Sequence, residues 1–338
     1  MKSILWHGRH DFELEERPEP VPGPDQVVVQ IQVTTICASD FHLEEFGTPP
    51  PLIPGHEAAG IVVELGSNVT SVRTGARVTM NPVQYCGSCH SCKRGIEHLC
   101  LNIRHLGGGG IPGTWAERVA VDARNVHTIP EEVSFTAAAL TEPTAVCYQS
   151  FQRAGLRKGD VVLVLGDGPF GFLHAQIASS LGAGKVICAG HYDQRLIRIR
   201  NMTGVSIYNT RRDDLLTLVR DELSLEGVDI AIEATGNGSA PSLGLRALRS
   251  QGTLVVFSYI WNPEILDMGL IHTKELNIIG SCRSHRTFDL CLKLMADGLI
   301  DTESLVDLTV PLQHYKEALA KLKDDKANTF KVAFTPLS

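Results

Sequence analysis

Nowhere does the chain hold the uninterrupted run of about eighteen apolar residues that a membrane-crossing helix needs. The opening stretch, MKSILWHGRHDFELEERPEP, lacks the apolar core of a secretory signal. Charge of either sign is not concentrated: 31 Lys and Arg stand against 38 Asp and Glu, a net of −7 with no long run. That acidic balance disfavours nucleic acid and anionic membrane as partners. Cys37, Cys147, Cys188, Cys282 and Cys291 are scattered, mostly inside apolar runs, so nothing outside one cluster suggests a disulfide framework. These absences lead to the expectation of a cytoplasmic protein that handles a small molecule.

What is present divides into two styles. Up to about residue 150, short β-branched segments such as QVVVQIQVTTIC, AAGIVVELGSNV, GARVTM and ERVAVDARNVHTIP alternate with Gly, Asn and Pro punctuation, which predicts a β-rich, barrel-like region. From about residue 151, apolar strands (DVVLVLG, KVICAG, VDIAIEATG, GTLVVFSY) alternate with amphipathic helices, the pattern of a parallel, doubly wound sheet. Two more helices, TFDLCLKLMADG and LQHYKEALAKLKDD, precede a terminal strand FKVAFTP.

The segment VLVLGDGPFGFLHAQIASSLGA carries Gly166, Gly168 and Gly171 as G-x-G-x-x-G, between an apolar strand and a helix. In that context the motif predicts a dinucleotide site, with Pro169 and Phe170 opening the helix whose N-terminus faces the phosphates.

Two constellations carry metal-ligand chemistry. In YCGSCHSCKRGIEHLC, Cys86, Cys89, Cys92 and Cys100 fit one tetrahedral zinc, closed by four thiolates and therefore structural; Gly87 and Gly95 supply the turns. The second set is dispersed: Cys37, Ser39, Asp40 and His42 in TTICASDFHLEEFG, His56 and Glu57 in PLIPGHEAAG, and Glu142 in ALTEPTAV. A Cys–His–Glu set leaves one position open, as a catalytic zinc requires. Singly, Cys37 suits a core, His56 a turn and Glu57 a solvated surface equally well.

Taken together and in this order, these pieces resemble the zinc-dependent medium-chain alcohol dehydrogenase superfamily over essentially the whole chain. Glu142-Pro143, and Ser39, Asp40 and His42 after Cys37, look most like its polyol branch of sorbitol, galactitol-phosphate, threonine and butanediol dehydrogenases. The resemblance implies an α/β protein: a GroES-like β-rich catalytic domain of residues 1–150, to which 286–338 return, plus a doubly wound parallel-sheet Rossmann domain of residues 151–285. It further implies reversible oxidation of a secondary alcohol. A catalytic zinc would be held by Cys37 and His56, with Glu57 and Glu142 as direct or water-mediated ligands, and Ser39 and His42 would relay the proton. Two zinc ions per chain, a homodimer or homotetramer and pairing through ELNIIGS belong to the same expectation. The loop HLGGGGIPGTWAE departs from it, reading as a mobile lid or a local peculiarity.

The nucleotide's adenosine ribose is usually bound by an acid about twenty residues past the glycines. Here that place falls on Gly190, followed by HYDQR. With His191, Tyr192 and Arg195 as phosphate donors, and Asp193 either reaching the ribose or capping the next helix, NADP is expected ahead of NAD. Two other readings compete: a zinc-free NADPH reductase of the same fold, and a zinc-ribbon binding module. Metal analysis separates them, since both lack the second zinc.

Overall fold

The computed structural model describes residues 1–223 and 226–337. The chain forms two compact units, one of Met1–Ala145 joined by the chain from Ser284 onward, the other of Val146–Arg283.

In the first unit the β-branched stretch Gln26–Thr35 is the central strand of a seven-stranded sheet. One edge pairs antiparallel with Glu57–Leu65, which leads on to Arg77–Met80 and Val126–Thr128. The other edge is shared. Arg118–Asp122 meets its first five residues, and the returning strand Lys331–Thr335 meets Thr34 and Thr35. Alternate residues of these strands, among them Val27, Val29, Ile31, Val62, Val78 and Val119, form one buried cluster. A second cluster around Trp6, Phe12, Trp115 and Phe334 receives Tyr315, from the helix Tyr315–Asp324, and so fixes the chain's end to this unit.

The second unit is one six-stranded parallel sheet. Its order is Ser206–Asn209, Lys185–Gly190, Val161–Leu165, Val228–Glu233, Leu248–Val256, Asn277–Gly280. In sequence terms that is 3-2-1-4-5-6, the doubly wound order whose reversal beside the first strand makes a nucleotide crevice. Strands covered by helices on both faces read as continuous apolar runs, which is why VVLVL shows no alternation. The helix Pro169–Ser180 leaves the first strand through the glycine turn. Among the described residues, no helix is long and apolar enough to cross a membrane.

Candidate active site and nucleotide loop

Cys37 ends an extended segment and caps the short 3-10 helix Ala38–Phe41. The cap is reciprocal in character: Asp40, three residues on, accepts the Cys37 backbone N–H at 2.9 Å. His56 is placed by Gly55, whose φ of +93° and contact with Trp115, 2.2 Å from where a Cβ would lie, admit only glycine. The other oxygen of Asp40 accepts the Gly55 N–H at 3.2 Å and lies 3.3 Å from His56 Nδ1. That leaves Nε2 as the nitrogen that could ligate a metal. Burial works against charge on His56, but Asp40 and then Cys37 outweigh it and hold its basicity well above the usual range. Ligand atoms of Cys37, His56 and Glu57 lie within 4.8 Å of one another, all three buried.

Glu57 is fully buried at the start of its strand. Lys331 Nζ donates to both its oxygens at 2.6 Å, and the Thr35 hydroxyl donates to one of them. Burial raises the Glu57 carboxyl, yet Lys331 brings it below the usual range. Glu142, near the start of the helix Thr141–Ala154, is also buried, and burial foremost pushes its carboxyl to about 7, with His56 lowering and Glu57 raising it. Ser39 donates to Cys37 Sγ at 3.2 Å. His42 is exposed and turned toward Glu45, 3.5 Å away. A soft thiolate, an imidazole and the Glu57 carboxylate in one buried cluster fit zinc as a donor set; Glu142, though buried, does not fall within that 4.8 Å group.

In the cysteine lobe, Sγ–Sγ separations are 3.5 Å for Cys89–Cys92 and for Cys86–Cys100, and 3.7 Å for Cys89–Cys100. Sulfurs at 2.3 Å around a tetrahedral ion would be about 3.8 Å apart. Backbone N–H groups of Cys86 and Asn102 point at Cys100 Sγ, and that of Cys89 at Cys86 Sγ. Hydrogen bonds from Ser88, backbone first, pull the Cys86 thiol down to about 5, while burial pushes Cys92 up to about 12. Four thiolates this close cannot all ionise without a cation. Zinc fits here too.

The loop with four consecutive glycines is packed against this region. A Cβ on Gly107 or Gly113 would lie 2.4 or 2.3 Å from the Gly55 carbonyl oxygen, and Thr114 N–H bonds that oxygen at 3.0 Å. Gly107 and Gly113 therefore serve close approach beside His56.

In the second unit a Cβ on Gly171 would lie 1.9 Å from the Gly166 carbonyl oxygen, so helix and turn pack as the motif requires. Gly168 is the N-cap and Pro169 the first helical residue, and no side chain among the described residues caps this N-terminus, the end of a helix that suits phosphate oxygens. Phe170 stacks edge-on against Phe257 at 5.0 Å. This cradle fits a dinucleotide. Gly190 ends the second strand, and the Tyr192 ring has the Arg195 and Arg211 guanidinium carbons at 5.3 and 5.4 Å. Asp193 does not cap the helix, whose N-cap is Tyr192: it accepts from Asn209 at 2.9 Å and Arg212 at 2.7 Å.

Three residues escaped the sequence reading of roles. Asp40 lies in the same sequence segment as Cys37, yet its orienting of Cys37 and His56 follows only from the fold. Lys331, the partner of Glu57, comes from the far end of the chain. Asp167, inside the glycine motif, accepts the backbone N–H groups of both His191 and Tyr192 at 2.6 Å. An acid between two of the motif's glycines was the available signal.

Residues 23–131 match the family profile of the alcohol dehydrogenase GroES-like domain, and residues 169–297 that of zinc-binding dehydrogenases. A sorbitol dehydrogenase of Halalkalibacterium halodurans is 32% identical over 346 residues, covering 100% of each chain. A structure named short chain alcohol dehydrogenase, from E. coli CFT073 in complex with NADH, superposes with TM-score 0.93 at 28% identity over 99% of each chain. A structure named as a zinc-binding dehydrogenase, from Sinorhizobium meliloti 1021 and bound to NADP, gives TM-score 0.89, also at 28% identity and 99% coverage of each. The chain belongs to the zinc-dependent medium-chain alcohol dehydrogenase superfamily, in its polyol-dehydrogenase-like branch, and is an NAD(P)-dependent oxidoreductase.

Proposed function

We propose that this enzyme interconverts a secondary alcohol of polyol, cyclitol, amino-alcohol or sugar-phosphate type and its ketone, using two zinc ions per chain, one catalytic and one structural. The buried approach of Cys37, His56 and Glu57 to within 4.8 Å of one another carries this reading. When bound, the catalytic zinc supplies a Lewis acid that acidifies the substrate hydroxyl, and the nicotinamide nucleotide supplies the hydride acceptor. The protein's residues do the rest. Cys37 and His56 would hold the ion, Asp40 aims His56, and Lys331 balances the charge of Glu57 while the Thr35 hydroxyl donates to it. Glu142 adds a second carboxylate as a direct or water-mediated ligand. Ser39 and His42 would carry the released proton outward, His42 from an exposed position that equilibrates with solvent.

The sorbitol dehydrogenase relative makes polyols the first class to test. A homodimer or homotetramer in the cytoplasm completes the proposal; the edge strand Asn277–Gly280, with Ile278 39% exposed, supports pairing there. On the nucleotide, the expectation of NADP rested on an acid missing at Gly190 and on His191, Tyr192 and Arg195 as phosphate donors. Asp167 beside Arg195 turns the reading toward NAD.

A panel of these alcohols, followed by nucleotide absorbance with wild type and His56→Ala, tests the function. Turnover of at least one secondary alcohol is expected, with His56→Ala inactive and short of one zinc. Full turnover by His56→Ala, or none by wild type across the panel, would overturn it.

A further inference from the structure

We propose that Asp167 replaces the missing acid at the end of the second strand and selects NAD by receiving the hydroxyls of the adenosine ribose. The inference rests on the nucleotide-dependent reading above and adds a residue to it. A Cβ at Gly190 would lie 2.4 Å from Asp167 Cβ and 2.5 Å from its Cγ and Oδ2. Gly190 therefore admits the Asp167 side chain, and the space is already filled by a carboxylate. An acid projecting from residue 190 and one leaning over it from the glycine turn deliver their charge to the same place.

The carboxylate is fixed there. Its Oδ2 accepts the N–H groups of His191 and Tyr192, each at 2.6 Å. Those are the amides that a 2′-phosphate would otherwise have at the strand end, so Asp167 removes donors as well as adding negative charge. Its Oδ1 has Arg195 Nη1 at 3.9 Å, beyond a direct hydrogen bond. That oxygen retains capacity to accept from a hydroxyl, and Arg195 is drawn toward an acid inside the protein. Asp193, the other acid of the loop, is committed to Asn209 and Arg212. One carboxylate is thus placed for a ribose, and it occupies the room at Gly190 and the backbone N–H groups of His191 and Tyr192 that would otherwise be open to a phosphate.

The test measures dissociation constants of NADH and NADPH by fluorescence or calorimetry, and kcat/KM with both oxidised nucleotides, for wild type, Asp167→Asn and Asp167→Ala. Asn has the same shape and keeps an oxygen for the two amides, so the loop should hold. Wild type should bind NADH more tightly than NADPH. Each variant should lose roughly tenfold in NADH affinity while NADPH affinity holds or rises, since a hydrogen bond to a charged group is lost and a repulsive charge removed. An NADPH preference in wild type, or an unchanged ratio in both folded variants, overturns the role of Asp167 and leaves the dehydrogenase reading standing. Failure of wild type to bind either nucleotide overturns both.

Discussion

At Asp40 a single carboxylate joins the two segments that bring Cys37 and His56 together. One oxygen holds the Cys37 backbone, and the other faces the Gly55 N–H and His56 Nδ1. An outer-shell partner of this kind fixes the imidazole tautomer and raises its basicity as a ligand. Asp40→Asn keeps the shape and removes the charge. It should weaken zinc at this site about 10- to 100-fold while leaving the cysteine lobe loaded. Competition with a zinc chelator, read alongside turnover, checks this; unchanged affinity would mean that Asp40 only caps its helix. Residue type and order made Cys37, His56 and Glu57 legible in the sequence, because few side chains ligate metals. Lys331 was illegible for the opposite reason. An ordinary surface residue type becomes the buried partner of Glu57 only because the chain returns 274 residues later.

Among the elements, the helix Pro169–Ser180 shows where pattern reading succeeds and where it stops. Its start was plain from the glycine motif and Pro169. Its interior was less so: Gly171 to Ala178 are all buried, including His174 and Gln176, so the expected solvent face is largely covered. The glycine-rich loop is ambiguous for a similar reason, since close packing against Gly55 and flexibility call for the same residue. His174 carries a measurable consequence. Its Nδ1–H donates to the Phe170 carbonyl at 2.7 Å, and Nε2 lies 3.3 Å from Ser150 Oγ, which can donate to it in the neutral ring. Burial pushes its pKa down from 6.5 to about 4, against the opposing pull of that carbonyl. A histidine with a depressed folded pKa contributes stability that is complete above its unfolded value, and loses it as pH falls from about 6.5 toward 4. At pH 5 the loss amounts to about 2 kcal/mol. Denaturant unfolding at pH 7.5 and pH 5 should show this drop in wild type, and His174→Gln should show a correspondingly smaller one. Equal drops in the two proteins would mean that this ring protonates without cost.

Across the molecule, chemistry and nucleotide recognition are assigned to different units with different cores. Both metal clusters fall within Met1–Ala145, while Gly166 to Arg195 lie in Val146–Arg283, around a cluster that includes Leu163, Ile187 and Ala231. Fold class was legible at this scale because a change of period from two to mixed strand and helix survives any local misreading. The division predicts separable failures. Cys100→Ser breaks a closed four-thiolate site whose metal contributes folding free energy, so it should remove one of two zinc ions and lower the melting temperature by more than about 5 °C. His56→Ala should remove the other zinc and abolish turnover with little change in melting. NADH binding should persist in both variants, because neither touches the nucleotide loop. Metal analysis, calorimetry and NADH titration on the three proteins give nine readings for this pattern. If wild type held a single zinc, or if either variant lost its metal, activity and nucleotide binding together, the assignment of one structural and one catalytic ion would be wrong.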